Sequence, residues 1–226
     1  TFGEKHNVTA NLGWNARQET SYESGVSTSQ GLTQENWFHL NASVGNKNAS
    51  MYKSELLRTG AFLTASYGYD GWGFLEGSIR QEKTSTLKSG NNSFWYPSVS
   101  ASFLYTEFMK DNKPSWWDYG KVRASYGIVG NAPEIYRAVN AYNQGSLLRA
   151  TTYTYNYVPT GIGNESIKPE TKYEYEIGLE NKFFGNRLSV EMSYYYNIVK
   201  DQILSATSAA SMGATSMLMN VGELKN

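Results

Sequence analysis

Three carboxylates, Glu174, Glu176 and Glu180, recur at even positions within one short run, a spacing at which two acidic side chains could act as acid and base on a glycosidic bond. The same run also alternates as Tyr173, Tyr175, Ile177 and Leu179 against those acids and Gly178. Charge at every second position is what the wet face of a strand carries, so catalysis is not expected and the chain does not read as an enzyme. His6 and His39 are the only histidines and there is no cysteine, so no metal-ligand spacing exists and neither a metal nor another cofactor is expected. Gly-x-Ser-x-Gly, HExxH and phosphate-cradling Gly-Lys-Ser motifs are missing too. What remains is recognition chemistry. Tyr136, Tyr142, Tyr153, Tyr155 and Tyr157 crowd the segment Gly130 to Glu170, and Trp37 and Trp95 lie in comparable surroundings. Flat rings on loops offer low-entropy stacking surfaces for sugars or peptides, with packing against a partner or against the loop itself as the alternative.

The elements that hold those loops are strands. Leu188, Val190, Met192, Tyr194, Tyr196 and Ile198 alternate with Ser189, Glu191, Ser193 and Asn197. One face therefore meets something apolar and the other meets water. Similar alternation runs over Val8–Ala16, Ala61–Tyr69, Leu75–Ile79, Val99–Tyr105, Val122–Ile128 and Tyr173–Leu179, which predicts roughly seven strands near bilayer-crossing length. Asp70-Gly71 and Phe184 to Arg187 predict tight turns, and Glu107 to Asp118 a moderate link. Gln18 to Leu56, Glu82 to Ser93, Gly130 to Glu170 and Lys200 to Ser216 read as long loops. Short and long connections alternate, as in an outer-membrane barrel with turns in the periplasm and loops outside. Aromatic residues gather at the short ends, where an interfacial girdle belongs. Leu188, Val190, Met192, Tyr194 and Tyr196 are then expected to face lipid.

Composition narrows the classes further. The 226 residues include 18 tyrosines and 21 glycines, and no apolar run is long enough for a membrane-spanning helix. Twenty basic residues balance twenty acidic ones, so a nucleic-acid partner is not expected. The chain begins with Thr1, which suggests a mature, processed or partial chain. Seven strands and the beginning of an eighth over Met217–Asn226 do not close a barrel, because unpaired backbone edges are costly in lipid. The expectation is a piece of a larger barrel.

Arg123-Ala124-Ser125-Tyr126-Gly127-Ile128-Val129-Gly130-Asn131 carries a resemblance. VRASYGIVGN resembles the LRASYGxTGN signature of SusC-like (RagA-like) TonB-dependent outer-membrane transporters of Bacteroidetes. FWYPSVSAS at Phe94–Ser102, NESIKPETKYEYEI at Asn164–Ile177, FFGNRLSVEMSYYY at Phe183–Tyr196 and NVGELKN at Asn220–Asn226 resemble further family motifs in the same order. Residues 1–55 match in pattern only, and Val129 and Ala132 depart from the commoner residues. The resemblance implies an all-β, antiparallel up-and-down barrel of 22 strands, of which residues 1–226 would supply seven or eight, without the plug domain. It implies import of oligosaccharide or peptide oligomers in the outer membrane, a SusD-like lipoprotein as lid, and energy from the TonB complex acting through an N-terminal part. A soluble secreted β-sandwich that binds carbohydrate and a siderophore or metal-chelate receptor barrel are the rival readings.

Overall fold

The computed structural model describes residues 3–148, 152–209, 211 and 213–226. Its strands are β1 (His6–Ser27), β2 (Asn48–Tyr69), β3 (Gly73–Thr84), β4 (Ser93–Phe103), β5 (Trp117–Asn131), β6 (Asn143–Leu148), β7 (Thr152–Tyr157), β8 (Gly161–Ile162), β9 (Glu170–Phe183), β10 (Leu188–Lys200), β11 (Ile203–Thr207), β12 (Ser216–Asn220) and β13 (Glu223–Lys225). A short helix, α1 (Tyr105–Met109), follows β4. Eight strands form one open sheet in the order β1-β2-β3-β4-β5-β9-β10-β13, antiparallel from β2 onward. Small sheets β11-β12-β8 and β6-β7 belong to the long connections.

Register converts the alternation into two faces. Tyr67, Leu75, Ala101, Ala124, Ile177 and Tyr194 stand side by side across six strands, and Ser66, Glu76, Ser100, Ser125, Glu176 and Tyr195 form the neighbouring row on the opposite face. The apolar face is open: Met192 is 60% and Tyr194 69% exposed. In a soluble sandwich a second sheet would cover such a face at about 10 Å. The two small sheets have strands of at most six residues and do not supply one.

Connections follow the expected alternation of short and long. At the short end Asp70 and Gly71 both take positive φ (47° and 75°), as a two-residue hairpin requires, and Phe184, Gly185 and Asn186 do the same in the β9–β10 turn. Aromatic rings gather there. Trp72 packs edge-on against Tyr69, Phe103 and Phe108, and Trp116 lies near Trp117, Phe183 and Phe184.

Four expectations need correction. Gln18–Ser27 and Asn48–Leu56, read as loop, continue β1 and β2 to 22 residues each. Tyr105, read as the end of a strand, begins α1; its ring covers Gly120, where a Cβ would come within 2.0 Å of it. The Gly130–Glu170 connection contains β6, β7 and β8 rather than irregular chain alone. Met217–Asn226 is not one strand, because Gly222 at φ 90° separates β12, in a loop sheet, from β13, which pairs with β10.

The described residues divide into two compact units, 17–57 and the remainder. Within 17–57, the connection 28–47 is closed by a Leu32–Ser43 bridge and a single helical turn, Leu40–Ala42, whose N-cap His39 accepts from Asn41 N–H at 3.1 Å. In the larger unit the buried apolar cluster lies at the long-loop end. Leu87, Ala138, Ile167 and Leu218 come from three different connections and pack with Phe94, Ala132 and Ile203.

Candidate functional site

The wet face positions its charges by strand register. Arg123 stands opposite Gly178, where an added Cβ would meet its Nε at 2.6 Å. The missing side chain lets the guanidinium lie flat across β9. From there it donates to Glu176 (3.2 and 3.3 Å) and reaches β10, donating to Glu191 (3.2 Å) and Ser193 (2.7 Å). Glu174 pairs with Lys172 and Glu180 with Lys182 at 3.5 Å. The three carboxylates that could have suggested glycosidase acids therefore each hold a cation, on a wall of alternating charge. Beside Arg123 a cavity of about 320 Å³ is lined by Ser66, Ser100, Ser102 and Ser125 together with Glu76 and Lys121.

At the short end, α1 folds back on the apolar face of the sheet. Thr106 Oγ1 accepts from Gly120 N–H at 3.0 Å, and Asn181 Oδ1 accepts from both Tyr105 Oη and Trp117 Nε1 (2.9 Å). A buried amide on the apolar face is thus satisfied by two rings. Burial pushes the Tyr105 hydroxyl above its usual pKa, opposed by the bond to Asn181, so it remains a neutral donor.

At the long-loop end a small set of side chains staples the connections together. Glu170 accepts from Ile203 N–H at 2.7 Å and from Asn131 Nδ2 at 3.5 Å. Asn220 accepts from Lys168 N–H and donates to the carbonyls of Lys168 and Asp201, all within 2.9 Å. Lys88 pairs with Glu165 across two connections. Asn131, Glu170 and Asn220 were not singled out from the sequence, although each lies in a quoted motif. Their signal was a capable amide or carboxylate beside a strand end, where loose backbone groups need partners.

The proposed recognition aromatics separate into groups. Tyr153, Tyr155 and Tyr157 share one face of the β6–β7 hairpin and are 59%, 51% and 45% exposed. The Tyr155 ring lies over Gly145 and 5.9 Å from that of Tyr157. Tyr142 is also exposed and, with Asn140, Ala141, Val158, Pro159 and Ile162, lines an apolar cavity of about 190 Å³ at the base of the hairpin. Tyr136 lies earlier in the same connection at φ 64°. Trp95 stands opposite Gln81 on the face of β4 shared with Val99 and Ala101. Trp37 belongs to the unit 17–57, where it stacks on His39 at 5.7 Å. Leu188, Val190, Met192, Tyr194 and Tyr196 share the open apolar face of β10. Among the described residues no group of three or more His, Cys, Asp or Glu could hold a metal ion.

Comparison with known proteins agrees with this geometry. A family model described as "TonB dependent receptor-like, beta-barrel" matches residues 1–226. TonB-dependent receptor P26 of Formosa agariphila is 29% identical over all of this chain and 23% of its own length, and TonB-dependent receptor P3 of the same organism is 27% identical over 78% of the chain and 18% of its own. The chain thus spans about a quarter or less of these relatives. Among solved structures, the RagAB peptide transporter superposes on the whole chain with a TM-score of 0.85 at 23% identity, over 25% of its own chain. The siderophore receptor PirA from Pseudomonas aeruginosa covers 79% of the chain, and 32% of its own, at 0.51 and 16% identity. The open apolar face, the alternating short and long connections and the full-length family match have one explanation: this chain belongs to the TonB-dependent receptor-like β-barrel family of the bacterial outer membrane.

Proposed function

We propose that these 226 residues form part of the wall of an outer-membrane transporter, not an enzyme, that imports peptide or glycan oligomers. The observation that carries this reading is the apolar face, open beyond α1 at its short end, of an eight-stranded antiparallel sheet whose opposite face is charged and hydroxylic. Leu188, Val190, Met192, Tyr194 and Tyr196 face lipid. The remaining strands, a plug domain and the segment that engages TonB lie outside these residues, and a SusD-like lipoprotein covers the long loops.

Tyr136, Tyr142, Tyr153, Tyr155 and Tyr157 contact the cargo, and Trp37 is a separate candidate contact within the unit 17–57. Trp95, on the apolar face at the loop end of β4, belongs with the outer interfacial belt. Import of oligomers is favoured over siderophore uptake by the superposition on the RagAB transporter at a TM-score of 0.85, against 0.51 for the siderophore receptor PirA. Uptake by cells bearing the full-length protein is the test. Labelled peptide or glycan oligomers should enter in a TonB-dependent manner and ferric chelates should not. Entry of ferric chelates alone would overturn the cargo assignment.

A further inference from the structure

We infer that the β6–β7 hairpin is a strand-addition site, at which an extended, uncharged stretch of an imported peptide pairs with a free edge of the two-stranded sheet. The inference rests on the importer reading and specifies the cargo as peptide at this hairpin. Asn143–Leu148 pairs with Thr152–Tyr157 in continuous antiparallel register, and no third strand joins either edge among the described residues. Each edge presents a row of alternating backbone N–H and C=O groups, and an isolated two-stranded sheet is marginal in water.

Exposed edges are normally blunted by charge, proline or a bulge. The edges of the eight-stranded sheet follow that rule: β1 carries Arg17, Glu19 and Glu23, and β13 carries Glu223 and Lys225. The sequences NQGSLL and TYTYNY contain no charge and no proline, and their pairing shows no register shift. Thr and Tyr in β7 favour the extended state. The hairpin thus combines strong strand propensity with unprotected edges.

The side chains fit the same occupant. Tyr153, Tyr155 and Tyr157 recur at two-residue intervals, about 6.6–7 Å apart along the strand, which is also the repeat of same-face side chains on an added strand. The 190 Å³ cavity beneath the hairpin offers Tyr142, Val158, Pro159 and Ile162 to one apolar side chain of that strand. Neither β6 nor β7 carries a charged residue that would select for a charged cargo. A glycan could stack on the rings but has no alternating donors and acceptors to continue a ladder.

The test uses the full-length protein in mild detergent and an equimolar pool of end-capped heptapeptides made of Gly, Ser, Thr and Val. A second pool has alternate amides N-methylated. The unmodified pool should bind, N-methylation should weaken binding about tenfold or more, and the edge-blocking double variant Thr154→Lys/Asn156→Lys should do the same. Thr154→Val, which keeps strand propensity without charge, should bind like the parent. No binding of the unmodified pool, equal binding of both pools, displacement by a neutral heptasaccharide, or a protein dimer cross-linked through position 154 would each overturn the inference. Whole-cell uptake separates it from the reading beneath it. Equal import of both pools overturns strand addition while keeping the importer, whereas selective binding without any oligomer uptake sinks the importer and leaves the peptide site standing.

Discussion

Replacing Met192 with Arg should destabilise the folded protein by an amount set by depth. The aromatic residues Phe183 and Tyr173 mark the two ends of β9's apolar face, ten residue steps apart (183 − 173). At roughly 3.3 Å per residue and a tilt near 40°, this is about 25 Å of height, the thickness of the apolar band of an outer-membrane barrel. Its midpoint falls between Ile177 and Leu179, whose cross-strand partners are Tyr194 and Met192. An arginine there should cost about 2–4 kcal/mol, or a roughly 30- to 900-fold loss in the folded-to-unfolded ratio. Leu188→Arg, beside Phe183 at the short end, should cost about 0–1 kcal/mol. Ser100→Arg, on the wet face beside Glu76, should cost little. Reversible unfolding of the full-length protein in phospholipid vesicles, followed by tryptophan fluorescence, measures all three. Equal costs for Met192→Arg and Leu188→Arg, or a larger cost for Ser100→Arg, would refute the assignment of faces and depth.

Other residues give separate expectations. Arg123→Ala should lower stability through its lost charge-assisted bonds, and Gly178→Val, which displaces the same guanidinium, should add little in the Arg123→Ala background; a double-mutant cycle in urea measures the coupling. Tyr105→Phe removes one of two donors to Asn181 and should cost about 1 kcal/mol in the same assay, without moving β-sheet circular dichroism. Asn220→Ala removes all three bonds between 168, 201 and 220, so trypsin should cleave after Lys200 several-fold faster while the global unfolding midpoint stays within a degree or two. An unchanged cleavage rate would mean that the buried cluster around Ile167 and Leu218 alone holds the loops.

Legibility in the sequence tracked solvent contrast. From Leu188 to Ile198 one face is apolar and the other wet, so the alternation was plain and register confirmed it. The outer halves of β1 and β2 were missed because Gln18-Glu19-Thr20-Ser21 and Lys53-Ser54-Glu55 are polar at successive positions, and hydrophobicity then has no period to read. TYTYNY reads as loop because its setting is rich in Asn, Thr and Gly, although Thr and Tyr are strand formers. Candidate tyrosines could be named individually, but the gathering of Tyr153, Tyr155 and Tyr157 on one face needed the pairing with Asn143–Leu148. The staples at Glu170 and Asn220 depend on loop ends far apart in sequence, so no local pattern disclosed them.

Spin labels placed one at a time from Leu188 to Ile198 in the full-length protein, with oxygen and a nickel chelate as competing relaxants in lipid vesicles, test the assignment of lipid and lumen faces most directly. The account predicts a two-residue period, with oxygen favoured at 188, 190, 192, 194, 196 and 198, a maximum at 192 and 194, and the nickel chelate favoured at 189, 191, 193 and 197. Loss of that period, or preferential access of the chelate to 192 and 194, would contradict it.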